Sequence, residues 1–110
     1  MHSLYYRQIE FQRMLTKLDL PHDNPLEFRN HICLMLEELG ELCKTDKRWR
    51  KTGYLRTQES GNKIEEIADV FIVAMNLAIY SGYKWNDILS AIDDKISYNY
   101  KRLESDINQD

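Results

Sequence analysis

The residues most able to do chemistry fall in two short acidic stretches, Glu37-Glu38-Leu39-Gly40-Glu41 and Glu65-Glu66-Ile67-Ala68-Asp69. Each carries two carboxylates three residues apart, Glu38 with Glu41 and Glu66 with Asp69. On a helix, positions i and i+3 are neighbours on one face. At ~100° per residue, His31, Leu34 and Leu42 share the stripe of Glu38 and Glu41, while Val70, Val73 and Leu77 share that of Glu66 and Asp69. The acids therefore sit within stripes that should face a core. A buried carboxylate is costly unless it is paired or bound to a metal. The stripes offer no Lys or Arg within one turn of these acids. Glu38, Glu41, Glu66 and Asp69 are then candidate ligands of a hard divalent cation, Mg²⁺ with Mn²⁺ as a substitute. A cation held there could activate a water, with Glu37 or Glu41 taking the proton. Glu37, Glu38 and Glu41 are the catalytic candidates, and spacing does not choose the base between Glu37 and Glu41.

Four helices must position these groups. With two prolines, four glycines and no run of alternating β-branched residues, nothing reads as a strand. Helix one spans about Ser3 to Leu18 and reads as a packing helix. Helix two has a clear start, with Asn24 as N-cap, Pro25 at N1 and Glu27 at N3 forming a capping box, and runs to about Arg50. It has a second apolar arc of Ile32, Leu36, Leu39 and Cys43. Helix three starts at Asn62, with Glu65 completing another capping box, runs to Ser81 and stops at Gly82. Ile64, Ile67, Phe71, Ala74 and Ala78 form its second arc, with Ile72 and Ile79 on a third side, which makes it the most buried of the four. Helix four runs from Trp85–Asp87 to about Glu104, with a polar, frayed tail from Ser105 to Asp110. Helices apolar on several sides in so small a protein predict cover from another subunit. The expected fold is all-α, a four-helix bundle-like unit completed by homo-oligomerisation.

Composition narrows the class. The 110 residues predict one domain, 1–110, and 30 % charged with 43 % hydrophobic residues is the balance of an ordinary globular chain. A net charge of −3 argues against a nucleic-acid polymer as partner, which would call for a basic footprint. The opening Met1–Arg7 has no apolar h-region and so does not read as a signal peptide. The longest apolar run, Val70 to Tyr80, is too short for a bilayer, so no membrane partner is expected. Cys33 and Cys43, ten residues apart on one helix, stand ~15 Å apart and cannot bridge. Reduced thiols and a cytoplasmic location are the simplest expectation.

Beyond the acids, Lys44, Lys47, Arg48, Arg50 and Lys51 surround Trp49. They read either as a solvated helix end suited to the macrodipole or as a phosphate-facing rim with an aromatic for stacking. Asn76 lies on the acid face of helix three, two turns beyond Asp69. Lys95, Asn99 and Arg102 share a stripe of helix four with Ile88, Ala91 and Ile92.

From about Arg29 to Arg102 the chain resembles the MazG-like, all-α nucleoside triphosphate pyrophosphatases, whose signature is E-E-x-x-E, a spacer, then E-x-x-D. Here it reads Glu37, Glu38, Glu41, then Glu66 and Asp69. The resemblance implies a Mg²⁺-dependent enzyme that cleaves a (deoxy)nucleoside triphosphate between its α- and β-phosphates to a monophosphate and pyrophosphate, as house-cleaning of the nucleotide pool. It implies a homodimer or a dimer of dimers. It also implies substrate-binding roles for Lys95, Asn99 and Arg102, which match K-x-x-x-N-x-x-R, and for Asn76. Trp49 and Lys51 of the rim, with Trp49 offset by one residue from the family's aromatic, and His31 on the acid stripe complete the substrate-binding candidates. Phosphoribosyl-ATP pyrophosphohydrolase and dimeric dUTPase-like enzymes are the nearer rivals, and the short spacer favours the MazG-like branch. A di-iron site would need Glu-x-x-His pairs, which neither motif supplies. A non-catalytic helical module binding a nucleotide or partner through the same surface is the alternative.

Overall fold

A computed structural model describes residues 2–45 and 62–108. Among them are four helices and no strand: α1 (His2–Thr16), α2 (Pro25–Cys43), α3 (Lys63–Ile79) and α4 (Trp85–Ile107). The chain is all-α as expected.

Local chemistry sets most of the boundaries. α1 stops at Thr16, two residues earlier than expected, because Lys17 takes a left-handed φ of 62° while its N–H still bonds Arg13 O at 2.8 Å. Thr16 Oγ1 then receives the Leu18 N–H at 3.2 Å, and Arg13 Nε donates to Leu20 O at 2.9 Å, which ties the loop back onto α1. Asn24 caps α2 by accepting the Glu27 N–H at 3.1 Å, with Pro25 behind it at the first helical position. The return half of the expected capping box does not form. The Asn24 N–H bonds Tyr80 O at 2.8 Å instead, so the cap is spent on joining the start of α2 to the end of α3. At α3, Asn62 accepts the Ile64 N–H at 2.9 Å. α2 ends at Cys43, short of the expected bound, where Thr45 Oγ1 donates to Leu42 O at 2.7 Å and a turn follows the helix.

α2 and α3 pack antiparallel, fixed by the Asn24–Tyr80 bond and an isolated antiparallel bridge between Asp23 and Ser81. Gly82 closes this end. Its φ of +84° is a left-handed one, and a Cβ there would lie 3.2 Å from Asp23 N, so both conformation and space demand glycine. The core gathers at the same end: Tyr5 and Ile9 from α1, Leu20 from the loop, Ile79 and Tyr80 from the end of α3, and Trp85 from the foot of α4. The Tyr5 and Trp85 rings stand 5.1 Å apart. Tyr5 donates to Tyr83 O at 2.8 Å, and its burial, helped by the Asp87 charge, pushes the phenol up to about 12.

Polar links join α1 to α3 through this core. Tyr80 donates to Gln12 Oε1 at 2.5 Å, and Gln8 Nε2 donates to Asn76 Oδ1 at 2.8 Å. As expected, α3 is the most buried of the four helices, with Val73, Asn76 and Ile79 buried and six more of its residues half-buried, but its cover is one-sided. Its second arc stands open, with Ile64 at 71 % and Phe71 at 61 % exposure. α4 departs further from a bundle, since every residue from 89 to 108 is exposed. The helices of one chain do not close into a bundle because α4 leaves the core after its first turn.

Candidate metal centre

The antiparallel pairing of α2 and α3 decides which acids meet. Glu38 lies in the fourth turn of α2, away from the Asn24–Tyr80 end, and Glu66 and Asp69 occupy the first two turns of α3. An antiparallel pair places these stretches side by side. Glu38, Glu66 and Asp69 each offer a carboxylate oxygen, and the three oxygens lie within 4.8 Å of one another. All three residues are half-buried. Among the described residues, none of the three enters an ion pair.

This arrangement is electrostatically unfavourable by itself. The Glu38 carboxyl is raised above the ordinary glutamate range, first by burial and then by the charges of Asp69, Glu66, Glu41 and Glu37. Like charges held together disfavour ionisation, and a divalent cation among them would reverse that effect. The donor set is all oxygen, the choice of Mg²⁺ or Mn²⁺ over a softer metal. The residues present therefore fit a hard divalent ion.

Glu41 stands outside this group of three. It is exposed, and Lys44 Nζ lies 3.4 Å from its Oε1. The expectation that no cation lies within one turn of the acids is corrected at this position. Lys44 follows Glu41 by three residues, the spacing that lets side chains meet on a helix. An exposed pair of this kind contributes little stability, so Glu41 is lightly held. Glu37 is exposed beside it.

The other site candidates scatter. His31 is buried, with its ring 4.8 Å from that of Tyr80. Its Nδ1–H donates to Glu27 O at 2.8 Å, because a carbonyl can only accept. It thus serves the core, two turns from Glu38. Asn76 is buried, and its carbonyl is engaged by Gln8. Lys95, Asn99 and Arg102 lie on the exposed part of α4. Lys95 Nζ sits 5.9 Å, and Arg102 Cζ 5.8 Å, from the centre of the Tyr98 ring. Within one chain, no hydrogen bond or ion pair joins these three to the carboxylates among the described residues. Trp49 and Lys51, with the rest of the basic rim beyond Thr45, lie outside the described residues. Cys33 and Cys43 are both free. No described helix is long and apolar enough to cross a membrane.

Sequence reading missed Gln8 and Gln12, which carry the polar links to α3. The available signal was their position: four residues apart, beside Tyr5 and Ile9 on the face of α1 that is buried. Comparison with protein-family models, with curated proteins and with solved structures gives no match.

Proposed function

We propose that the chain is a Mg²⁺-dependent nucleoside triphosphate pyrophosphohydrolase, converting a (deoxy)nucleoside triphosphate to a monophosphate and pyrophosphate. The observation that carries this reading is the convergence of Glu38, Glu66 and Asp69, from two helices, within 4.8 Å of one another and with no ion pair among the described residues. Those three would hold the ion. When bound, Mg²⁺ would neutralise triphosphate charge and acidify a water. Glu37 or Glu41, exposed and on the same helix as Glu38, would take that water's proton. The water oxygen would bond to the α-phosphorus, and the bond from that phosphorus to the bridging oxygen would break. The electron pair leaves on pyrophosphate. Lightly held by Lys44, Glu41 can turn toward the site as base or as fourth ligand. House-cleaning of the nucleotide pool in the cytoplasm is the role this chemistry would serve, and the enzyme would work as a homo-oligomer. The scattering of Lys95, Asn99 and Arg102 away from the carboxylates favours the second reading, a non-catalytic module that binds a nucleotide or a partner.

A panel of canonical and modified nucleoside triphosphates, incubated with Mg²⁺ and resolved by ion exchange, tests the choice. Monophosphate with pyrophosphate, lost on chelation and in Glu38→Gln, is the expected result. Diphosphate with inorganic phosphate would refute the bond assigned, and no turnover would leave the binding module.

A further inference from the structure

We infer that two copies of this chain exchange their C-terminal helices, the exposed part of α4 from each lying in an apolar groove of the other. The groove is formed by α1, α3 and the foot of α4 and holds about 840 Å³. Leu4 and Phe11 line one wall, and Ile64, Ile67, Phe71 and Ile72 the other. On α3 this face is opposite the one carrying Glu66 and Asp69, so an occupant would leave the carboxylates open.

The chain carries its own complement. Leu89, Ile92, Ile96, Leu103 and Ile107 follow one another at steps of three, four or seven residues, which makes one stripe along α4. All five are exposed, from 39 % at Leu89 to 64 % at Ile107. A helix this apolar on one side is stable only when that side is covered. Ile88 and Ile92 also line the groove, so the stripe begins at its edge and runs outward.

Size and area agree. At roughly 100 Å³ for each branched side chain at protein packing density, 840 Å³ receives several side chains of one helix face. With about 200 Å² for each large apolar residue, the exposed fractions on groove and stripe leave on the order of 1,000 Å² per chain. Two chains together reach the range of a stable dimer. Both surfaces belong to every copy, so one two-fold axis satisfies both at once and the assembly closes.

Glu in place of Ile96 tests the stripe, and Glu in place of Phe71 tests the groove. Both positions are at least half exposed in the chain, so neither change should alter the fold, and circular dichroism checks that. By sedimentation velocity at micromolar concentration, the wild type should be a dimer. Each variant should dissociate at least about 100-fold more readily, since the glutamate would be buried in an apolar contact. An equimolar mixture of Ile96→Glu and Phe71→Glu should regain part of the dimer, because one of its two contacts joins an intact groove to an intact helix while both glutamates fall in the other. A wild-type monomer would overturn both this arrangement and the oligomeric part of the functional reading. Wild-type dimer without rescue in the mixture, or with either single variant still dimeric, would overturn the exchange alone and place the contact on another face.

Discussion

Removing the charge of Glu38 should make the metal-free protein more stable, not less. Glu38 faces Glu66 and Asp69 with oxygens no more than 4.8 Å apart. Two like charges at that distance repel by about 1 kcal/mol even at the dielectric of water. Two neighbours therefore set a relief on the order of 1–2 kcal/mol, and partial burial adds to it. For a domain of this size that raises Tm by roughly 5–10 °C. The same change removes a cation ligand, so metal should stabilise the wild type more than the variant and offset that difference. At a Mg²⁺ or Mn²⁺ concentration ten times Kd, the wild type gains about 1.4 kcal/mol and Glu38→Gln gains almost none. The assay is thermal unfolding of both proteins at one protein concentration, in EDTA and across a metal series. A Glu38→Gln protein that melts lower in EDTA would show that the carboxylate has a stabilising partner. A metal response equal to that of the wild type would show that Glu38 is not a ligand. Either result refutes the reasoning.

Proton linkage makes an independent prediction. The Glu38 carboxyl is raised in the folded state, so folding favours its protonated form. Its contribution is full below the ordinary glutamate range and is lost as pH rises through the raised value, so metal-free unfolding in urea should show stability falling across that window. At the alkaline end, Tyr5 at about 12 against an ordinary 10.0 should cost stability between those values, visible in ultraviolet titration as late tyrosine ionisation, to which Tyr80, also raised by burial, contributes. Glu41→Gln should lower turnover far more than it weakens Mn²⁺ binding, because Glu41 stands outside the group of three; equal losses would make it a resident ligand. Ile79→Ala, at a fully buried position in the core, should cost about 2–5 kcal/mol in urea denaturation and leave metal affinity unchanged once folded.

What could be read from the sequence was what is local. The Asn24 side-chain cap, Pro25 at the first helical position and the left-handed φ of Gly82 are local features, and the structure has each where the sequence places it. The acid stripes were legible because three of their carboxylates face the helix crossing directly. Glu41 was not, since a helical wheel ranks it with Glu38 although only the crossing of α2 and α3 decides which acid meets α3. The same wheel cannot tell whether an apolar arc finds its cover within the chain. For α3 and α4 it does not, as Phe71 and Ile96 show. Gln8 and Gln12 escaped notice because their partners, Asn76 and Tyr80, are distant in sequence. Side-chain polarity alone does not reveal such pairing.

The central claim is that Glu38, Glu66 and Asp69 form one divalent cation site. Electron paramagnetic resonance of Mn²⁺ tests it most directly, because the sharp signal of the free ion disappears on binding. Titration of the wild type should remove one Mn²⁺ per chain from the free signal, Mg²⁺ should release it in competition, and Glu38→Gln and Asp69→Asn should each bind at least about tenfold more weakly. Full free signal with the wild type, or equal binding in both variants, would contradict the account.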